Sequence, residues 1–281
     1  MTDEETNEII KEVTLTLHNA INCDRMFKGC SVLTDVDLTL PHATTCMYMF
    51  WGCPNLTNVK LNAPVCKSYY GIFVNSTSLK SVDLSLPQAD NCQSMFSACS
   101  SLVSVNLNIP NATKVDKMLY GCTHLTSVDL DLPNVVTCSQ MFYGCYALES
   151  VNLNIPNATN VNKMFYNTNF ETLDLSLPSV TTCNNLIYNN TGTSERRLSV
   201  RLDLPNATDC YKLLDNNYWL ENVILNMPKL SNYTEMFRNC PLIETIDVTI
   251  PSSVVSGFKT YVESLELENL TSFKINGEEQ L

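Results

Sequence analysis

Along most of this chain a strand-like alternation recurs: apolar residues stand five, three and one positions before a proline, with polar residues between them. Val36, Leu38 and Leu40 precede Pro41 around Asp37 and Thr39; Val82, Leu84 and Leu86 precede Pro87; Val128, Leu130 and Leu132 precede Pro133. A period of two buries one face, so each run is a short β-strand. The proline, which has no N–H to give to a ladder, ends it. A stretch rich in Asn and Thr then leads into an apolar pair eight and nine residues past the proline: Met49-Phe50, Met95-Phe96, Met141-Phe142 and Met164-Phe165, with Ile72-Phe73 and Met118-Leu119 as variants. Gly-Cys follows at Gly29-Cys30, Gly52-Cys53, Gly121-Cys122 and Gly144-Cys145. The pattern predicts a short helical or 3-10 turn that buries the Met-Phe pair, closed by glycine at positive φ. Leu33, Leu56, Leu79, Leu102, Leu125 and Leu148 then bring the chain back to the core.

The prolines set the period. Pro41, Pro64, Pro87, Pro110, Pro133 and Pro156 are 23 residues apart, and Pro178, Pro205, Pro228 and Pro251 follow at steps of 22, 27, 23 and 23. His18 stands at the first anchor, which gives about eleven coils. A fixed period of this size is the signature of a solenoid. One coil offers too few inward side chains to offset its own chain entropy and needs coils above and below. The expected fold is a β-rich α/β solenoid, a right-handed superhelix of about eleven 23-residue coils with one short strand plus a short helical or 3-10 turn per coil. Residues 1–9 read as a charged lead-in, 10–251 as the solenoid, and 252–281 as a C-terminal cap over the last apolar face. Coils of D-L-x-L-P type alternate with N/K-L-N-I/A-P coils, and VNLNIPNAT recurs at 105–113 and 151–159, so the duplicated unit is 46 residues, two coils. Extra residues before Pro205 fall within 189–197 and must bulge outward, because Leu198 restores the core position.

The consensus L-x-x-V-x-L-x-L/I-P-x-A-T-x-x-x-x-M-F-x-G-C-x-x-L resembles the BspA-like class of leucine-rich repeats, whose familiar form is L-x-x-I-x-I-P followed by A-F-x-G-C-x-x-L. The match runs over roughly residues 12–251, with Met-Phe in place of Ala-Phe. The resemblance implies a leucine-rich-repeat superhelix, a cell-surface or extracellular location, and adhesion or protein binding. It carries over no catalytic residue.

Composition narrows the partners. Seventeen basic against 29 acidic residues give a net charge of −12, which argues against nucleic acid or an anionic membrane. No apolar run is long enough for a membrane-spanning helix, so no membrane insertion is expected. The start, MTDEETNEIIKEV, is acidic where a secretory signal is basic. No signal peptide is therefore read in this sequence, which leaves virion or cytoplasm open beside the cell surface.

Twelve of the 13 cysteines fall into two columns. Cys23, Cys46, Cys92, Cys138, Cys183 and Cys210 stand five past the anchor; Cys30, Cys53, Cys99, Cys122, Cys145 and Cys240 stand twelve past it, and Cys66 is the odd one. Val115, Val161, Tyr69 and Tyr233 replace the first, and Ser76 and Thr168 the second, so these positions call for a small buried free thiol rather than a disulfide. No C-x-x-C or Cys/His spacing suits a metal, and neither metal nor cofactor is expected. So many thiols fit a reducing site of folding. His18, His42 and His124 occupy unrelated register positions. Asp37, Asp83, Asp129 and Asp174 form a column spaced at about 10 Å, twice the strand spacing. That is too dispersed for an acid/base pair and reads as a solvated ladder.

The sharper signal is aromatic. Trp51, Tyr120, Tyr143, Tyr166 and Tyr188 stand ten past the anchor, the tyrosines on four consecutive coils, at a position where other coils carry Lys28, Ser97 or Arg238. Such a row can stack on sugars or anchor a protein. The sequence thus reads as a non-enzymatic binding or adhesion module that presents a rigid surface roughly 50 Å long to a protein or glycan. The alternatives are a structural or receptor-binding part of a phage virion or other large assembly, and an intracellular interaction scaffold.

Overall fold

The computed structural model describes residues 10–190 and 197–281, so the lead-in at 1–9 and most of the expected bulge, 191–196, lie outside the described residues. One short strand precedes each anchor: β1 (Glu12–Thr16), β2 (Asp35–Thr39), β3 (Asn58–Asn62), β4 (Ser81–Ser85), β5 (Ser104–Asn108), β6 (Ser127–Asp131) and β7 (Ser150–Asn154). The series continues, past the two-residue strand β8 (Phe165–Tyr166), with β9 (Thr172–Ser176), and, past a second such strand, β10 (Ile187–Tyr188), with β11 (Leu198–Asp203), β12 (Leu220–Asn226) and β13 (Thr245–Thr249). Pairing between these strands is parallel and in register at the repeat spacing, as in Val13 opposite Val36 opposite Val59. The alternation places Val36, Leu38 and Leu40 in the core and leaves the intervening side chains toward solvent.

The expected helical turn in each coil is absent, and the backbone shows why. Cys46, Tyr48, Phe50 and Gly52 donate their N–H groups to the carbonyls of Ser68, Tyr70, Ile72 and Val74 on the next coil, at 2.7–2.9 Å. Of the amides between them, Met49 and Trp51 close tight turns instead, onto Cys46 at 3.3 Å and Tyr48 at 3.2 Å, while Met47 donates to the Asp24 carboxylate at 2.7 Å. The third residue of the first turn, seven past the anchor, is left-handed in each of the ten coils: Tyr48 at φ 55°, Lys117 and Gln140 at 56°, Lys163 at 55°. A left-handed residue in every turn breaks the uniform dihedrals a helix needs. The segment is therefore a second parallel ladder made of stacked turns, with bridges running without interruption from Asn22 through Thr45, Ser68 and Asn91 to Asn232. It tightens into true strands at β8 and β10. The architecture is a β-solenoid, and among the described residues helix is confined to residues 252–263, a 3-10 turn at Ser252–Val254 and α1 (Val255–Glu263).

Between the two ladders lies one continuous core. Phe27, Phe50, Phe73 and Phe96 stack face to face with centroids 5.3–5.5 Å apart and planes within 7°. Leu119 interrupts this stack, and Phe142 with Phe165 resumes it at 5.4 Å. Each such pair adds about 0.5–1.5 kcal/mol beyond simple burial. At the C-terminal end, Phe258 and Val262 of α1 pack onto the last coil. The Tyr261 hydroxyl accepts the Phe237 N–H at 2.7 Å, a donor that has no further coil to bond. Gly257 leaves room for the last coil against α1: a Cβ there would lie 2.5 Å from the Tyr233 hydroxyl. Strands β14 (Ser272–Ile275) and β15 (Glu278–Glu279) close the end, the first parallel to β13 and the second antiparallel to β14.

The strand ladder is not continuous. It joins β1 to β3, β4 to β5, β6 to β7, and β9 onward to the cap, with no strand pairing from β3 to β4, β5 to β6 or β7 to β9. The three breaks recur once per 46-residue unit, each following an Asn- or Lys-type coil. Asn106 donates back to Asp83, and Asn152 to Asp129, both at 2.9 Å. Leu40, Leu86 and Leu132 donate into the paired strand at 2.8–2.9 Å. The equivalent amides of Ala63, Ile109 and Ile155 border a break. Hydrogen exchange followed by mass spectrometry or NMR should find the latter three exchanging about tenfold faster or more than the former; equal protection would mean the ladder is continuous in solution.

Candidate functional site

The turn ladder brings the tyrosines together because their backbone positions repeat at the spacing of parallel strands. Tyr120 stacks on Tyr143 at 4.9 Å with planes 13° apart, Tyr143 on Tyr166 at 4.5 Å and 4°, and Tyr166 on Tyr188 at 4.4 Å and 14°. All four are half-buried. Their faces are spent on one another, so sugar-stacking faces are absent from the interior of the row. Burial, followed by neighbouring Tyr120 and Tyr146, pushes the Tyr143 phenol up; burial, then Tyr188 and Tyr143, does the same for Tyr166. Both stay neutral, hydrogen-bonding groups at physiological pH. Trp51 lies apart from this stack. Val74 and Ser97 occupy the intervening coils, and the Trp51 ring carries the Lys28 ammonium 4.5 Å from its centroid.

The same column ends in charge. Asp215, fully buried, and Arg238 take the tyrosine position on the two coils after Tyr188, and Arg238 grips the carboxylate through Nε at 3.1 Å and Nη2 at 2.7 Å. One residue further along each coil runs an asparagine ladder that sequence reading missed: Asn189 donates to Asn167 at 2.7 Å, Asn216 to Asn189 at 3.0 Å and Asn239 to Asn216 at 3.5 Å. These residues are left-handed, φ 52–61°, and stand where other coils have Gly29, Gly52, Gly121 and Gly144. Asparagine exchanging with glycine at one register position was the available signal.

Flanking the row, seven past the anchor, stand Arg25, Lys117, Lys163 and Lys212 among Tyr48, Gly71, Ser94, Gln140, Asn185 and Glu235. The turn bond from the Tyr120 N–H to the Lys117 carbonyl, 3.2 Å, sets lysine and tyrosine on the two shoulders of one turn, with Met118 and Leu119 buried between them. Lys212 meets Glu235 at 3.5 Å. On the strand face the aspartate column is interleaved as a ladder, Lys60 3.8 Å from Asp37 and Arg201 3.9 Å from Asp174. The histidines lie on separate coils, and His124 meets the Ser100 carbonyl at 2.6 Å. Where the last coil meets the cap, a recess of about 470 Å³ is lined by Tyr218, Phe237, Asn239, Cys240, Pro241, Leu265 and Leu267. Among the described residues, no cluster of three or more His, Cys, Asp or Glu could hold a metal ion, and no helix is long and apolar enough to cross a membrane.

All thirteen cysteines are unpaired and all but Cys30 are buried. The second column has a specific task. Cys53, Cys99, Cys122 and Cys145 donate Sγ–H to the carbonyls of Phe27, Phe73, Phe96 and Leu119, each 26 residues earlier, at 3.0–3.2 Å. Ser76 makes the same bond to Phe50 at 3.1 Å, which explains the exchange of Ser for Cys.

Strands stacked in register at a leucine-bearing 23-residue period define a leucine-rich-repeat solenoid. The particular family follows from the coil consensus: residues 6–120 and 92–195 match the BspA type leucine rich repeat region, in six copies, and the chain belongs to that family. Three solved structures are similar to it. A leucine-rich repeat protein from Bacteroides ovatus aligns with a TM-score of 0.50 at 16% identity, over 86% of this chain and 67% of that one. A leucine rich cell surface protein from Faecalibacterium prausnitzii aligns at 0.46 and 15%, over 98% and 81%. The T. pallidum leucine rich repeat protein aligns at 0.42 and 18%, over 57% and 81%. No curated protein matches the chain.

The buried thiols give a pH and reactivity prediction. Burial pushes Cys53 up to about 11 and Cys99, Cys145 and Cys240 up to about 12, from an ordinary thiol value of 9.0. A folded-state pKa raised in this way contributes stability that is complete below about pH 9 and lost as pH climbs toward 12, because the unfolded chain ionises first. Urea midpoints should therefore be flat from pH 6 to 8 and fall between about 9 and 12. At pH 8 a thiol reagent should label Cys30 alone in the folded protein and all thirteen cysteines in denaturant; rapid labelling of buried positions would contradict the packing described here.

Proposed function

We propose that this protein is a non-catalytic binding module whose contact surface is the edge carrying the tyrosine row. The observation that carries this reading is the uninterrupted, half-exposed stack from Tyr120 to Tyr188. Aromatic side chains fixed on a rigid scaffold lose little entropy when a partner docks, and such residues anchor protein interfaces and glycan sites. A solenoid extends this edge over successive coils, so a long ligand can be held by many weak contacts in register. Adhesion at a cell surface, the role the family resemblance implies, suits such an edge.

A second reading rests on the thirteen unpaired thiols. They fit a chain that folds in a reducing compartment and serves as an interaction scaffold or as a component of a virion or other assembly. Quantifying the protein in cytosol, envelope and extracellular particles of its native source decides between these. Enrichment in the envelope is the expected result, fixed stoichiometry in particles makes it an assembly component, and purely cytosolic protein excludes the surface role.

The row itself is tested by changing Tyr120, Tyr143 and Tyr166 to Ser together, a residue that Ser97 already places in this column. Wild type and variant would be compared on an array of neutral and acidic polysaccharides and immobilised secreted proteins. Loss of more than about tenfold in affinity with an unchanged far-UV spectrum is expected, in line with hot-spot tyrosines. Undiminished binding by the folded variant rejects the row as the contact.

A further inference from the structure

The chain is acidic overall, yet its charges are sorted by face. On the outward strand positions, six, four and two before the anchor, nine acidic residues from Glu12 and Asp35 to Asp203 and Asp247 meet two basic ones, Lys60 and Arg201. On the two columns of the tyrosine edge the balance inverts: Arg25, Lys28, Lys117, Lys163, Lys212 and Arg238 face only Asp215 and Glu235. Those two carboxylates are engaged, Asp215 buried under Arg238 and Glu235 between Lys212 and Arg238. Beside the stack, Asp116 is half-buried and consumed by Gln93, Thr137 and the Ser139 amide. Among the described residues Lys117 and Lys163 stand without an ion pair, flanking the four stacked tyrosines.

Spacing identifies the ligand. The two lysines are two coils apart, about 10 Å at the strand repeat, with an intervening coil that carries neutral Gln140 and Tyr143. From this we infer that the tyrosine edge binds an acidic polysaccharide carrying one carboxylate per disaccharide. An extended β-linked chain advances roughly one strand spacing per sugar, so alternate sugars place carboxylates on Lys117 and Lys163 while the neutral sugar between them meets Gln140 and the tyrosine edge. Nucleic acid and polyglutamate carry charge at shorter intervals and match this lysine spacing less well. The inference rests on the tyrosine edge being the contact surface.

Binding of hyaluronan decasaccharide, which has one carboxylate per disaccharide, is the test, measured by calorimetry at low and physiological salt. Wild type should bind, and more weakly as salt rises. A Lys117→Glu/Lys163→Glu variant should lose about tenfold or more, the size expected when charge-assisted contacts are removed; Glu235 at φ 56° shows that glutamate folds in this column. Lys60→Glu on the strand face should bind as wild type does. Equal binding by the double variant, no binding by wild type, or a preference for polyglutamate or single-stranded DNA each overturns the inference. If the tyrosine variant loses its partners while the lysine variant keeps them, the edge stands as the contact and the acidic polysaccharide falls.

Discussion

Everything in this molecule depends on where the backbone amides of each coil find their acceptors. Along the turn ladder, alternate N–H groups reach forward to the next coil and others close tight turns within their own. A buried amide left unpaired costs about 1–3 kcal/mol, so a change of register in one coil would strand a row of donors. That requirement fixes the period, places a left-handed residue in every coil, and makes each coil an incomplete structure without its neighbours. The ends show the same rule from the other side, for the cap supplies the Tyr261 hydroxyl to an amide that has run out of coils.

Register then produces the surface. A side chain repeated at one position of the coil must stack at the strand spacing, and that spacing is close to the optimal separation of aromatic rings. Phenylalanines do this inside and tyrosines outside on neighbouring register positions, so the core stack and the surface stack reinforce one backbone geometry. Thiols twelve residues past the anchor and asparagines beside the tyrosines follow the same logic with hydrogen bonds in place of rings. Charge repeated in this way would repel itself. The strand face relieves it by alternating Asp with Asn, Lys or Arg, and the turn edge by alternating lysine with neutral residues.

The 46-residue unit is a physical as well as a sequence repeat. Within a unit, Asn side chains tie the second strand to the first; between units, the strand ladder opens while the turn ladder stays closed. The body is thereby stiff along the edge that carries the tyrosines and more permissive along the strand face.

By itself the sequence determined the solenoid, the coil boundaries, the strands, the buried columns and the aromatic row, because a strict repeat leaves one periodic solution that buries all its apolar positions. The row from Tyr120 to Tyr188 and the thiol columns could be read from register alone. The segment around Met-Phe could not. An apolar pair closed by Gly-Cys suits a helical turn as well as stacked turns, and the choice lies in hydrogen bonds to a coil 22 or 23 residues away, which no local pattern records. The asparagine ladder, the Asp215–Arg238 clamp, the breaks in the strand ladder and the sorting of charge between faces were likewise decided by the tertiary structure. Each depends on which side of a coil a residue occupies and on which neighbour it meets, and those relations exist only once the coils are stacked.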